Sequence, residues 1–175
     1  FGLPRLSAHV DNERTRLELP GAPVGAHEEA LPDGGPGEIT AQLRDETEIY
    51  RLLPDQPGLA CESAEAWVQR LQHQGRPRAL LRANRLLVAA LSAAGRTDDA
   101  KQTMAHIAAQ CADRGMTRFL LDGGPRVVAL LAELCDDLHG HRWLSTWPVI
   151  PVAFIDTMIG QAKSISSGVA DQRPI

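Results

Sequence analysis

Apolar positions along the chain recur at intervals of three and four, the spacing of one face of an α-helix, and no stretch alternates as a strand does. Leu6, Val10, Leu17 and Leu19 predict a first helix over about residues 4–19, stopped by Pro20-Gly21. The Pro- and Gly-bearing run from Leu31 to Gly37 reads as a loop. Ile39, Leu43, Ile49, Leu52 and Leu53 predict a shorter charged helix closed by Pro54 and Pro57.

From residue 59 the pattern becomes regular. Leu59 to Gln74 reads as a helix with Trp67, Val68 and Leu71 on its apolar side. Gly75-Arg76-Pro77 is a stop followed by a proline suited to a first helical turn. Arg78 to Ala94 forms the next helix, broken at Gly95-Arg96, and Thr97 with Asp98 and Asp99 suits the start of another, over residues 98–114, ended by Gly115. A short segment, 116–121, precedes the turn Asp122-Gly-Gly-Pro125 and a helix to about Leu138. A loop with Trp143, Trp147, Pro148 and Pro151 leads to a last helix near 152–163, and residues 164–175 read as a disordered tail. The predicted fold is all-α, with acidic helices and a loop over 1–58 and a helical-repeat region over 59–163.

Composition agrees. The 175 residues include 24 Ala and 22 Leu against 9 Val and 8 Ile, a helix-forming bias. No apolar run approaches a membrane span, and three separated cysteines (Cys61, Cys111, Cys135) make no disulfide framework, so a cytoplasmic chain without membrane contact is expected. There is neither a signal peptide nor an initiator Met, which points to a piece of a longer protein. The net charge of −4 is unevenly spread: residues 1–58 hold 5 basic and 11 acidic residues, whereas 59–175 hold 13 and 11. That balance argues against nucleic-acid binding.

Short antiparallel helices joined by Gly-containing turns are how helical-repeat arrays are built. Setting Ala100 on the early second-helix alanine of the 34-residue tetratricopeptide pattern places Leu87 and Leu91 on first-helix core sites. It also places Gly95 at the turn and Met104 on the large second-helix site. Asn84 at the tryptophan site and Ala112 at the terminal proline site depart from the pattern. A degenerate repeat array is therefore expected, with a generic antiparallel bundle as the rival.

The stretch from Arg78 to Ala100, followed by Gly115-Met-Thr-Arg-Phe-Leu-Leu-Asp-Gly-Gly-Pro125 and Val128-Ala-Leu-Leu131, resembles the helical-repeat region of MalT-like, LuxR-type ATP-dependent bacterial regulators. The opening Phe1-Gly-Leu-Pro-Arg-Leu-Ser-Ala8 resembles a helix of the same region. The resemblance implies an arm that senses a protein partner or small-molecule effector and signals to a nucleotide-switch domain elsewhere. In that family a helix-turn-helix effector usually follows; none is present before Ile175. A MalT-like module in a bacterial serine/threonine kinase of the protein kinase K type is the alternative parent.

Candidate chemistry is sparse, and the expected piece is not an enzyme. Gly34-Gly-Pro-Gly37 and Gly123-Gly-Pro125 lack the Lys-Ser/Thr of a phosphate loop, so no cofactor is expected. Cys135 and His139 are four apart on a helical face, and with His141 are the weak metal candidates, against a buried cysteine beside a polar helix end. No local signature pairs Cys61 or Cys111 with a histidine, and neither Asp98-Asp99 nor Asp136-Asp137 can face as a dyad. Arg78, Arg82 and Arg85, spaced by four and three, form a stripe suited to an anionic ligand or partner, or to the chain's own Asp45, Glu46 and Glu48.

Overall fold

A computed structural model describes residues 4–17, 19 and 35–170, with side chains over 5–17, 19 and 39–162. It contains α1 (Pro4–Arg16), α2 (Gly35–Leu52), α3 (Pro57–Gln72), α4 (Pro77–Ala93), α5 (Thr97–Asp113), α6 (Thr117–Leu121), α7 (Pro125–His139) and α8 (Val152–Ala170), with no strand among the described residues. The all-α expectation holds. None of these helices is long and apolar enough to cross a membrane.

Glycine sets the hairpin spacing. Gly75, Gly95 and Gly115 follow α3, α4 and α5 with φ of +61°, +74° and +64°, a left-handed conformation that side chains with a Cβ resist. After α4, the Arg96 N–H donates to the Leu91 carbonyl (2.9 Å) and the Gly95 N–H to that of Ser92 (3.2 Å). After α5, Met116 and Gly115 make the same pair of bonds to Cys111 and Ala112. These are Schellman closures, which satisfy the last carbonyls of a helix while reversing the chain. The glycines stand 20 residues apart, so two helices take about 40 residues, longer than the 34 of the tetratricopeptide pattern.

Successive helices pack as hairpins: α1 on α2, α3 on α4, α4 on α5 and α7 on α8. α4 also meets α2 and α7, and so stands at the centre. Small side chains make this possible: Ala60, Ala64, Ala83, Ala90, Ala100, Ala105 and Ala108 are fully buried, with Leu86, Met104 and Leu131 filling the spaces between. Ala100 and Met104 thus occupy the core sites the repeat pattern assigns them. Trp143 and Trp147 meet edge to face, centroids 5.1 Å apart, and Trp147 closes the core near α8.

Two expectations change. Leu6, Val10, Leu17 and Leu19, the predicted core side of α1, are exposed, and α1 instead buries Ala8, Asn12 and Arg16. Its neighbours α2 and α4 present polar groups, and those decide which face turns inward. At the other end, α8 stays helical to Ala170, past the expected end at 163 and into the predicted disordered tail; residues 171–175, like residues 20–34, lie outside the described residues.

The close helix contacts give a direct test. Ala83→Leu, at a fully buried site, is expected to cost about 1–3 kcal/mol in urea denaturation. Ala132→Leu on the exposed side of α7 is expected to stay within about 0.5 kcal/mol of the parent chain.

Candidate functional site

The arginine stripe does not emerge as one surface. Arg78 is exposed in the first turn of α4, Arg82 is half-buried and Arg85 is buried, because α4 runs from the edge of the array into its centre. Arg82 clamps the buried Glu46 of α2 with both forks, Nε to Oε1 at 3.0 Å and Nη2 to Oε2 at 2.7 Å. Its Nη2 also donates to Asn12 Oδ1 at 3.2 Å, and Asn12 Nδ2 donates to Thr47 Oγ1 at 3.3 Å. Three helices, α1, α2 and α4, are thereby joined by one polar seam. Of the acidic partners considered from sequence, Glu46 is the one the fold brings to the stripe.

Arg85 lies deeper. Its Nη1 donates to the Phe119 carbonyl at 2.6 Å, and its guanidinium sits 4.5 Å from the Phe119 ring centroid, a cation–π contact that holds α6 on α4. Burial pulls its pKa down, while the nearby Tyr50 and Glu46 push it up. Phe119 was not singled out from sequence; the signal available was only an aromatic inside a short apolar segment.

The metal candidates divide. Cys135 Sγ lies 3.4 Å from His139 Nδ1, as their four-residue spacing predicts, and α8 adds Asp156, whose Oδ1 is 3.2 Å from His139 Nε2 and 3.9 Å from Cys135 Sγ. These three can gather round one ion. His141 is not in this group. With φ of +57° it holds the left-handed position of the turn that closes α7, where the Arg142 N–H donates to the Asp137 carbonyl at 2.8 Å. Sequence reasoning missed Asp156, which is 17 residues from His139 and on another helix. The set offers three donors, with His139 and Asp156 each half-exposed, where a structural zinc site takes four. It serves as a thiol–imidazole–carboxylate bridge between α7 and α8.

The remaining candidates have packing or surface roles. Burial pushes the Cys111 thiol up to about 11 and raises Cys61 as well, so both stay protonated and poorly nucleophilic at neutral pH. Asp99 is exposed and pairs with Arg96 at 2.8 Å. Asp137, unlike its exposed neighbour Asp136, is buried and accepts from Lys101 (2.6 Å) and Arg142 (2.8 Å). Burial alone would raise its pKa, but these two cations together hold the carboxyl below its usual range.

The chain is 37% identical, over 136 residues, to "Serine/threonine-protein kinase PknK" of Mycobacterium tuberculosis, with the same figures for the protein of that name in Mycobacterium bovis. It is homologous to a region of this kinase. The match covers 71% of this chain and 12% of the relative, so the chain spans about one eighth of the length of the curated relatives it matches. No family model matches the chain, and no solved structure matches it significantly. The chain carries neither the His-Arg-Asp nor the Asp-Phe-Gly motif of a kinase catalytic domain.

Two measurements follow. Burial pushes the Glu46 carboxyl above its ordinary range, and Arg82 and Arg85 offset this only in part. The folded state therefore holds this proton more tightly than the unfolded one. The associated stability is full below the unfolded pKa of about 4.3 and declines as pH rises through the shifted value. In urea denaturation from pH 4 to 8, Glu46→Gln is expected to gain on the parent chain as pH rises; the reverse trend would show the Arg82 pair outweighing burial. Separately, elemental analysis is expected to find no stoichiometric zinc, and one zinc per chain that disappears in Cys135→Ser would be the contrary result.

Proposed function

We propose that this chain is a regulatory, partner-binding region of a bacterial serine/threonine protein kinase, acting in the cytoplasm. It is a helical-repeat module that receives a protein partner or small-molecule effector and passes that occupancy to domains elsewhere in the parent chain. The observation that carries this reading is the similarity to PknK over 71% of the chain. Two features support it: stacked hairpins present a large surface for recognition, and the described residues assemble no nucleophile with a base in an open cleft. In this reading the chain performs no chemistry of its own, needs no cofactor, and leaves ATP to another domain.

The second reading is the sensor arm of a MalT-like transcriptional regulator, supported by the resemblance over residues 78–131. The complete reading frame separates the two, since a kinase domain supports the first and a helix-turn-helix the second. Function is tested by deleting residues 59–163 from the parent. The expected outcome is a kinase that still phosphorylates itself but loses partner capture or effector response. Unchanged capture and response would overturn the proposal.

A further inference from the structure

The ends of α1 and α2, the middle of α4 and the start of α7 enclose a pocket of about 340 Å³, a volume in the range of small-molecule sites. Arg16, Tyr50, Arg51 and Arg126 line it, with Leu19 and Leu53 among its apolar walls, and no carboxylate among the described residues lines it. Arg16 uses Nη2 on Glu13, and Arg51 lies 3.6 Å from Glu48 on the solvent side.

The 15-residue helix α7 starts at this pocket. Its N-cap is Gly124, at φ +90°, its first residue Pro125 carries no N–H, and no side chain caps it, so the positive end of the helix dipole opens on this pocket. A Cβ at Gly124 would fall 2.9 Å from the Arg16 carbonyl oxygen; glycine is what lets α7 begin against the end of α1. An independent observation points to the same space. Arg16 is 8% exposed and Tyr50 6%, yet Arg16 Nε and Nη1 and the Tyr50 hydroxyl have no hydrogen-bond partner among the described residues. Burial pushes Tyr50 up to about 12, so its hydroxyl stays a neutral donor. Buried donors without acceptors are rare in folded proteins, and Arg16 and Tyr50 line the same pocket as the start of α7.

We infer that this pocket binds a small organic anion. Its phosphate or carboxylate head is held by Arg16, Tyr50 and the start of α7, and its apolar body rests on Leu19 and Leu53. The site stands on this geometry alone; its meaning as the input of a regulatory module rests on the proposed function. Titration calorimetry on the 175-residue chain tests it with phenyl phosphate, benzoate, inorganic phosphate and the uncharged comparator phenol. One organic anion is expected to bind at one per chain, about tenfold more tightly than inorganic phosphate, with phenol inert. Whether phenyl phosphate or benzoate binds identifies the head group. Arg16→Met is expected to weaken binding about tenfold or more. Tyr50→Phe, which keeps the packed ring, is expected to weaken it roughly threefold, and the exposed Arg114→Ala not at all. Circular dichroism confirms the fold of each variant. No saturable binding by either organic anion, no advantage over inorganic phosphate, or equal weakening by Arg114→Ala would overturn the inference. Anion binding without any effect on the parent's kinase output would leave the pocket standing and remove its regulatory role.

Discussion

A helix enclosed by neighbours on most sides has little solvent face left for its charged residues, and past its exposed first turn α4 is such a helix. It meets α2, α3, α5 and α7. Its alanines let those helices come close, and the same closeness forces Arg82 and Arg85 to find partners inside the protein. Arg82 finds Glu46 and Asn12; Arg85 finds a backbone carbonyl and an aromatic face. A buried charge without such partners would cost several kcal/mol, so these contacts settle where α1, α2 and α6 can sit. The rest of the array follows from that requirement.

The same constraint separates scaffold from recognition surface. Arg82 and Arg85 are occupied in joining helices, which leaves Arg78 as the stripe's exposed member. The recognition chemistry we infer lies instead in the pocket between the ends of α1 and α2, α4 and the start of α7, where buried donors lack described acceptors. The Cys135–His139–Asp156 bridge is a third kind of polar contact, pinning α8 at the half-exposed edge, where ion pairs contribute little to stability.

Much of the fold was legible in the sequence. The periodicity of Leu81, Val88 and Leu91, the prolines at 57, 77 and 125, and the glycines at 75, 95 and 115 marked most of the helices and their reversals, because these signals act within one turn of the chain. The face of α1 was not legible. Leu6 and Val10 made an apolar stripe, and a helix of mixed composition buries whichever side its neighbours can satisfy. Those neighbours, Glu46 and Arg82, are more than 30 residues away. The candidate sites were legible only where partners share a helix: Cys135 and His139 could be paired from sequence, whereas Asp156 and Phe119 could not.

By itself, the sequence determined an all-helical chain with Gly-closed hairpins, small close-packed contacts and little catalytic chemistry, since propensity, capping and turn conformation are local properties. Tertiary structure alone decided which arginines are buried, which acid pairs with which base, and where donors are left without acceptors. Those outcomes depend on distances between residues far apart in the chain, and the energy of a charge or a hydrogen bond is set by what surrounds it once the helices have packed.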